Sequence, residues 1–352
     1  MVSYKNELKS YAKEIGIASL GVTGPEPLDN YATAIYKKRI ENKYLTGGKN
    51  PLPGFEQKNL QLRFDPRQSF SGVKSIISLA IPYNVDHSQP EKGKFHGQLA
   101  RVGWGRDYHV VVTEKMTRLV QFLRDFFPDL RYKLMVDTGP LLERGFAWRA
   151  GLGWIGKNNT LIVPGVGSFV FLGEILIDKR LEPDVPLDEN CGECEECIEA
   201  CPTHALVEPY MLNTRICLSF LTQISELPPE WVLPVMKGRI YGCDTCQDVC
   251  PYNKAAPKIG EKAFIPDIFE PFPDLIELIY MDLKKYIEII GPTSAEWVGL
   301  SILQKNAIVG LADYKDPSTL PVIKRLEQDQ RSTVRHAAQW AEKYINNMAH
   351  TR

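Results

Sequence analysis

The sequence predicts a mixed α/β protein built from three parts, and three observations support this prediction. The first 180 residues contain apolar runs of strand and helix length, which is typical of an α/β layer fold. All eight cysteines then fall between residues 191 and 250. Beyond residue 260 the apolar residues recur at helical spacing. We therefore predict an α/β domain over residues 1–180, a cysteine-rich module over residues 181–260 and a helical region over residues 261–352.

Hydrophobic periodicity places the elements of the first part. We predict an amphipathic helix at 4–15 that leads into a short strand, a buried strand at 75–82, a helix at 110–127, a short strand at 134–136 and a buried strand at 168–177. The apolar stretch that ends this part contains Glu174 and is too short to cross a bilayer, so we expect no membrane span.

Asp137 follows the short strand directly and precedes a Gly139-Pro140 turn. A carboxylate at the end of a strand stands where open α/β sheets bind their ligands. The same residue could instead cap a helix that begins near Leu141, since Asp, Thr, Gly and Pro are all common there. From the residues alone the cap is the simpler interpretation, and both stay open.

Three glycines form the pattern Gly151-x-Gly153-x-x-Gly156. As a dinucleotide fingerprint it is weak, because a helical pattern precedes it and no acidic ribose partner follows at the expected distance. The glycines more plausibly let the backbone approach a bulky flat ligand, with Lys157 and Asn158 as polar contacts.

The cysteine spacing predicts two 4Fe-4S clusters. Cys191, Cys194, Cys197 and Cys201 have the bacterial ferredoxin spacing, followed by a proline, whereas the later C-x2-C-x3-C-P run is one cysteine short. In that spacing the last cysteine of each run binds the other cluster, and the isolated Cys217 completes the eight. We assign one cluster to Cys191, Cys194, Cys197 and Cys250, and the other to Cys201, Cys217, Cys243 and Cys246.

Two other uses of the cysteines are weaker. Structural zinc would leave a third C-x2-C pair and both Cys-Pro units unexplained. Disulfides need an oxidising compartment, and residues 1–30 lack the apolar segment and cleavage site of a signal peptide. We therefore expect a cytoplasmic protein.

Charge is unevenly distributed although the net charge is only −1. Residues 182–199 contain eight carboxylates and no basic side chain, whereas residues 92–118 are basic and include Lys92, Lys94, Arg101 and Arg106. Such a segment is either a solvated loop or a nucleic-acid surface, in which Trp104 or Tyr108 could stack on a base.

Residues 296–345 are predicted to be helical with a repeat of roughly thirty residues. Lys305-Asn306-Ala307-Ile308 recurs as Arg335-His336-Ala337-Ala338. The pattern indicates a short HEAT-like array, although its period falls below the usual range. The alternative is a helical cap that only buries core.

Taken together, these residues resemble the epoxyqueuosine reductases, the cobalamin-dependent family that completes queuosine in transfer RNA. The resemblance covers essentially the whole chain. Its most specific segments are residues 104–109 (WGRDYH), 135–140 (MVDTGP), 149–153 (RAGLG) with Lys157-Asn158, the cysteine block, 215–223 (RICLSFLTQ) and 241–246 (YGCDTC).

The resemblance implies a nitroreductase-like cobalamin-binding domain, a ferredoxin-like module with the two clusters and a HEAT-like region that helps to hold the anticodon stem-loop. It implies two-electron reduction of epoxyqueuosine to queuosine at the wobble position, with transfer RNA of GUN anticodon as partner. An external electron donor and a monomeric state are expected.

The resemblance also assigns residues. Asp137 matches the proton donor, which must hold a proton near neutral pH; burial away from cations would favour this. The substrate residues are Asp107, Tyr108 and Arg144. The implied cobalamin contacts are Arg63, Ala100, Asp137, Gly153, Lys157, Asn158, Leu161, Ser219 and Asp244. Some family members have cysteine in place of Ala100, so a contact there uses backbone or methyl.

Two other functions remain open at this point. A corrinoid reductase of a small molecule would share the clusters and the cofactor but would not need helical repeats. A non-catalytic two-cluster electron carrier would bind no corrinoid and would have no use for Asp137.

Overall fold

The structure is a computed structural model that describes residues 3–28, 60–87, 95–258 and 260–349. Two compact units divide the chain. The first consists of Met1–Val85, Tyr108–Arg215 and Thr245–Lys262, and the second of Asp86–Asp107, Ile216–Asp244 and Ala263–Arg352. The expected three-domain division along the sequence stays a prediction.

The helices of the described residues are α1 (Ser3–Glu14), α2 (Leu60–Phe64), α3 (Tyr108–Phe126), α4 (Glu143–Arg149), α5 (Glu196–Glu199), α6 (Leu218–Leu221), α7 (Thr245–Asp248), α8 (Pro251–Lys254), α9 (Leu275–Tyr280), α10 (Leu283–Ile289), α11 (Leu300–Asp313), α12 (Leu320–Leu326) and α13 (Ser332–Ala349). The strands are β1 (Ser19–Thr23), β2 (Ser75–Pro82), β3 (Gln98–Leu99), β4 (Tyr132–Met135), β5 (Trp154–Ile155), β6 (Leu161–Ile162), β7 (Val170–Ile177), β8 (Leu206–Glu208), β9 (Met211–Leu212) and β10 (Arg239–Tyr241).

The first unit is built on a four-stranded sheet of order β1-β2-β7-β4. All three strand pairs are antiparallel, with Ser78 opposite Glu174 and Met135 opposite Glu174 in the two pairs that β7 makes. The mixed helix and sheet character is confirmed. Ligands bind at the carboxyl ends of the strands in parallel sheets, so this rule does not place Asp137 at a ligand-binding edge of an antiparallel sheet.

Helices cover both faces of this sheet. A side chain at Gly173 would meet Val112 and Met116 of α3, so that face of β7 packs against α3. Because side chains alternate along a strand, Glu174 points to the opposite face. There Leu176 packs with Phe146 of α4 in one buried cluster. The predicted helices and strands of this part are confirmed within two residues, including the helix expected near Leu141, which begins at Glu143.

The second unit is centred on α11, whose residues Leu303–Ala312 are all buried. This helix packs against α9, α13 and the short strand β10, which pairs in parallel with β3. Asn306 donates hydrogen bonds to the carbonyls of Thr222 and Ile240, each 2.7 Å long. The helical prediction for residues 296–345 is confirmed: α11, α12 and α13 are separated by turns at Asp316-Pro317 and Asp329-Gln330.

Candidate active site

Asp137 lies two residues beyond the end of β4 and has a positive φ of 47°. The residue that precedes α4 is Leu142, and it makes no side-chain capping bond. The interpretation of Asp137 as a helix cap is therefore wrong. A non-glycine residue in the left-handed region costs on the order of 1–3 kcal/mol and is most often kept at functional sites.

Three polar side chains of the first unit surround the Asp137 carboxylate. Nε2 of His109 lies 3.6 Å from Oδ2 of Asp137. The interaction with His109 lowers the pKa of Asp137 below its usual range; Tyr108 and Arg144 act in the same direction, against burial. The expectation that Asp137 lies away from cations is not met. In this arrangement it is a carboxylate at neutral pH, and an acid role requires that it take up a proton before the reaction.

Tyr108 is held by stacking. Its ring lies parallel to that of Phe171 on β7, with centroids 4.3 Å apart and an angle of 4° between the planes. The ring of His109 also stacks on that of Tyr108, with centroids 4.1 Å apart. Arg144 belongs to α4 and donates a hydrogen bond to the carbonyl of Asn159. The first unit thus brings together Asp137, Tyr108 and Arg144, whereas the predicted substrate residue Asp107 belongs to the second unit.

Neither His109 nor Glu143 was predicted from the sequence to have a role. Glu143 accepts a hydrogen bond from the backbone N–H of Asp137, 2.5 Å long. His109 belongs to the motif at residues 104–109, so the sequence could have indicated a role for it. Glu143 carried no such signal, because its contact with Asp137 depends on the turn between β4 and α4.

The β5–β6 hairpin carries four of the predicted cofactor contacts. A Cβ at Gly153 would lie 2.0 Å from the carbonyl oxygen of Ile162, so no larger residue fits beside β6. Leu161 is buried, and at the turn Lys157 and Asn158 are each under a tenth exposed. Nζ of Lys157 lies 3.5 Å from a carboxylate oxygen of Glu195, and Asn158 donates to the carbonyl of Cys246 at 3.4 Å.

This hairpin fits a bound polar cofactor. Nδ2 of Asn159 and Nε1 of Trp154 are buried, and neither has a hydrogen-bond partner in the described part of the chain. Buried donors are nearly always satisfied in folded proteins. A ligand that accepts hydrogen bonds would remove this cost. The backbone carbonyl of Arg63, near the end of α2, accepts a hydrogen bond from the N–H of Leu142, so Arg63 lies beside the turn between β4 and α4 that carries Asp137.

Three further predicted cofactor contacts, Ala100, Ser219 and Asp244, belong to the second unit. Ala100 lies against Gly242, since a Cβ there would be 2.6 Å from the Ala100 methyl. The backbone N–H of Gly242 donates to Thr222, whose hydroxyl donates to the carbonyl of Ser219. Asp244 accepts hydrogen bonds from the backbone and the guanidinium of Arg101, at 2.8 and 3.2 Å.

For the basic segment, residues 92–118, the structure contradicts part of the prediction from sequence. Trp104 is only 4% exposed and its indole N–H donates to the carbonyl of Leu99, so it is a core residue and cannot stack on a base. Arg101 is committed to Asp244, whereas Arg106 is exposed. Lys92 and Lys94 lie outside the described residues.

The eight cysteines form no disulfide, and all of them lie in the described ranges. Cys191 and Cys250 pack against the same buried pair, Trp154 and Ile162. Burial, followed by the charges of Cys191, Cys250 and Cys194, raises the pKa of Cys197 to about 11. These four thiols of the first unit therefore lie near one another, as the crossed ligand pattern requires.

The other four cysteines are divided between the units. Cys201 accepts a hydrogen bond from the backbone N–H of Ala205, and Cys246 lies in α7. Cys217 precedes α6, and Cys243 packs against the buried cluster that contains Leu218 and Leu221. Across residues 3–28, 60–87, 95–258 and 260–349, no three Cys, His, Asp or Glu side chains converge on a single ion position. Thiolates of a cubane bind separate corners and need no such convergence.

None of the helices in the described ranges is both long enough and apolar enough to cross a membrane.

Comparison with known proteins assigns the chain to a family. Residues 190–253 match the model of a 4Fe-4S double cluster binding domain, and residues 63–138 match the model described as Epoxyqueuosine reductase QueG, DUF1730. The epoxyqueuosine reductase of Listeria monocytogenes is 39% identical over 97% of this chain and 89% of its own length. That of Bacillus subtilis is 37% identical over 98% of this chain and 89% of its own.

Solved structures agree. An epoxyqueuosine reductase crystallised with an epoxyqueuosine-modified tRNA-Tyr stem loop is 38% identical, with a TM-score of 0.88 over 98% of this chain and 91% of that one. The Bacillus subtilis enzyme, described with its catalytic aspartate loop swung out of the active site, is 36% identical, with a TM-score of 0.85 over 97% of this chain and 90% of that one. By sequence and by fold, the chain belongs to the epoxyqueuosine reductase family.

Proposed function

We propose that this protein is a tRNA-modifying oxidoreductase that reduces epoxyqueuosine at wobble position 34 to queuosine, the last step in forming that nucleoside. The observation that carries the proposal is the set of side chains around Asp137: Tyr108, His109 and Arg144 meet its carboxylate in one unit. Family membership over nearly the whole chain supports the same reaction.

The reaction balances as epoxide plus two electrons and two protons, giving alkene and water. Cobalamin, when bound, would supply a strongly reducing and nucleophilic metal centre for this chemistry. Asp137 gives the proton that the epoxide oxygen needs as its bond to carbon breaks. Tyr108 and Arg144 orient the modified base, and Asp107 is the third residue to which we assign a substrate role.

Within each unit, contacts among several of the residues that would hold cobalamin support this assignment. The β5–β6 hairpin contributes Gly153, Lys157, Asn158 and Leu161. In the same hairpin, the buried N–H groups of the Asn159 and Trp154 side chains have no hydrogen-bond partner among the described residues. In the second unit the backbone between Ala100 and Gly242 is close-packed, with Ser219 and Asp244 nearby. Arg63 and Asp137 complete the set.

The two clusters would supply one-electron transfer from an external donor. We assign Cys191, Cys194, Cys197 and Cys250 to one cluster and Cys201, Cys217, Cys243 and Cys246 to the other. The closeness of the first four thiols, three of which raise the pKa of Cys197 by their charges, supports this division.

We further propose the nitroreductase-like and ferredoxin-like character of residues 1–180 and 181–260, and a HEAT-like role for residues 261–352 in holding a GUN anticodon stem-loop. The helix succession α11, α12 and α13 supports the last assignment. We also propose that the protein is a monomer, because the clusters and the RNA site both need open surface. We place it in the cytoplasm.

The test is an anaerobic single-turnover assay on tRNA that carries epoxyqueuosine, with protein reconstituted with iron, sulfide and cobalamin. Wild type should form queuosine. Asp137→Asn should bind both cofactors equally and form at least about 100-fold less product, since it has no proton to give. A wild-type protein that holds all cofactors and forms no queuosine would favour a small-molecule corrinoid reductase instead.

A further inference from the structure

An exposed tryptophan in the second unit is held in place by its polar atom. Trp297 lies in the turn at Glu296–Val298, just before α11, and is 64% exposed. Its indole N–H donates a hydrogen bond to the hydroxyl of Tyr241, 3.2 Å long. Exposed side chains usually change rotamer freely. This ring is instead tethered and presents a flat apolar surface to solvent.

The tether is itself anchored among buried groups. Tyr241 is only 5% exposed, and its hydroxyl donates its one proton to the carbonyl of Ser294 at 3.1 Å. The hydroxyl oxygen can therefore accept the indole N–H. The hydroxyl of Ser294 in turn donates to the carbonyl of Val102 at 2.6 Å. The orientation of Trp297 is thus set by the protein before any partner binds.

The residues that precede Trp297 also hold a residue to which we assign a substrate role. The backbone N–H of Asp107 donates to the carbonyl of Pro292 at 2.8 Å. The loop at residues 292–297 therefore fixes both Asp107 and the exposed indole. An RNA loop that reaches Asp107 comes to the part of the second unit that presents Trp297.

Reduction of nucleotide 34 leaves its neighbours without one stacking partner. Enzymes that act on a base take it out of the stack, so the bases on either side lose a contact. Unpaired bases of RNA loops are recognised by stacking on aromatic side chains, which tolerate any base because every base has a flat face.

We propose that Trp297 is a stacking platform for a base that flanks position 34 in the anticodon loop. The inference rests on the proposed function for the identity of the RNA. It makes Trp297 a positioning residue, because the ring holds the loop and takes no part in the chemistry.

The first test measures binding of an anticodon stem-loop that contains epoxyqueuosine, by fluorescence anisotropy. Trp297→Ala should raise the dissociation constant at least about fivefold. Trp297→Phe keeps an aromatic face and should stay within about threefold of wild type, whereas Trp297→Leu, apolar but not aromatic, should match Trp297→Ala. Iron content and thermal stability should equal those of wild type, since the ring is exposed.

The matched control is Trp231→Ala, which removes an indole that is 56% exposed in another turn of the same unit. It should bind the stem-loop as wild type does. Wild-type affinity in Trp297→Ala, or a loss in Trp297→Phe as large as that in Trp297→Leu, would overturn the proposal.

The second test identifies the base. Stem-loops that lack the base on the 5′ side or on the 3′ side of position 34 are compared. For one of them, the loss of affinity seen with wild type should disappear in Trp297→Ala, because the stacking partner is already gone. Removal of a base that does not adjoin position 34 should weaken both proteins equally. Additive losses at both flanking positions would overturn the proposal and would leave the indole as a contact for another macromolecule.

Single turnover separates this inference from the proposed function. Trp297→Ala should raise the half-saturating stem-loop concentration at least about fivefold and keep the rate at saturation within about twofold of wild type. If wild type forms queuosine and Trp297→Ala has an unchanged half-saturating concentration, only the inference fails. A wild type that neither binds the stem-loop nor forms queuosine would overturn the proposed function and the inference with it.

Discussion

The Asp137 carboxylate illustrates how neighbours set the chemistry of one residue. His109 and Arg144 favour its charged form, whereas burial raises the pKa of Glu143 to about 8 and that of Glu174 well above its usual range. Pairs of titratable groups whose pKa values are pushed apart are typical of acid–base sites. The same reasoning from burial applies in the second unit, at Lys305.

Lys305 is fully buried in α11, and its ammonium donates to the carbonyls of Ile224 and Glu226 at 2.6 and 3.2 Å. Burial lowers the pKa of Lys305 from 10.5 to about 8. Between these pH values the unfolded chain binds a proton that the folded chain releases, so the free energy of unfolding rises with pH. Below about pH 8 both states are charged and this dependence ends.

We predict that Lys305→Met abolishes this rise. Relative to the variant, wild type should gain on the order of 1–3 kcal/mol of unfolding free energy between about pH 8 and pH 10. Urea denaturation at a series of pH values measures it. Lys343→Met, at an exposed position of α13, is the control and should run parallel to wild type. Parallel curves for Lys305→Met as well would show that Lys305 keeps its ordinary pKa in the folded state.

At the scale of elements, the β5–β6 hairpin depends on one glycine. The strands approach so closely that a Cβ at Gly153 would lie 2.0 Å from the Ile162 carbonyl oxygen. Atoms at that distance cannot coexist, so a larger residue forces the strands apart and displaces Lys157 and Asn158 at the turn.

We therefore expect Gly153→Ala to weaken cobalamin binding at least about tenfold, because it moves several contacts at once. Absorbance titration of the reconstituted protein with cobalamin gives the affinity, and iron content shows whether the clusters survive. Ile155→Val, a change of one methyl in the same hairpin, should bind nearly as wild type. Equal affinity for Gly153→Ala would place the corrin away from this hairpin.

At the scale of the whole molecule, the crossed cluster ligands connect distant parts of the chain. Cys250 is four residues from Cys246 in sequence, yet it packs beside Cys191. If the assignment is right, Cys250→Ser and Cys191→Ser damage the same cluster, while Cys243→Ser damages the other.

Electron paramagnetic resonance of the reduced proteins distinguishes the two clusters. We expect Cys250→Ser and Cys191→Ser to give matching spectra with about half of the wild-type iron. Cys243→Ser should give the complementary spectrum. A Cys250→Ser spectrum that matches Cys243→Ser would show that each run of cysteines binds its own cluster.

The sequence alone determined the properties that depend on local order. Cysteine spacing predicted two clusters because consecutive ligands must reach neighbouring corners, and hydrophobic periodicity placed β2, α3 and β7 because periods of 2.0 and 3.6 residues follow from backbone geometry. The family resemblance, carried by motifs along the chain, singled out Asp137, Tyr108 and Arg144.

Only the tertiary structure decided which groups meet. It made the sheet antiparallel, placed Trp104 in the core and Arg101 on Asp244, and removed Asp137 from the cap of α4. Glu174 appeared in the sequence as one charge in an apolar run. Its relation to Glu143 and Asp137 exists because α4 packs on the face of β7 that carries it. The charge state of a buried group depends on neighbours brought by folding, and these are not encoded in local sequence.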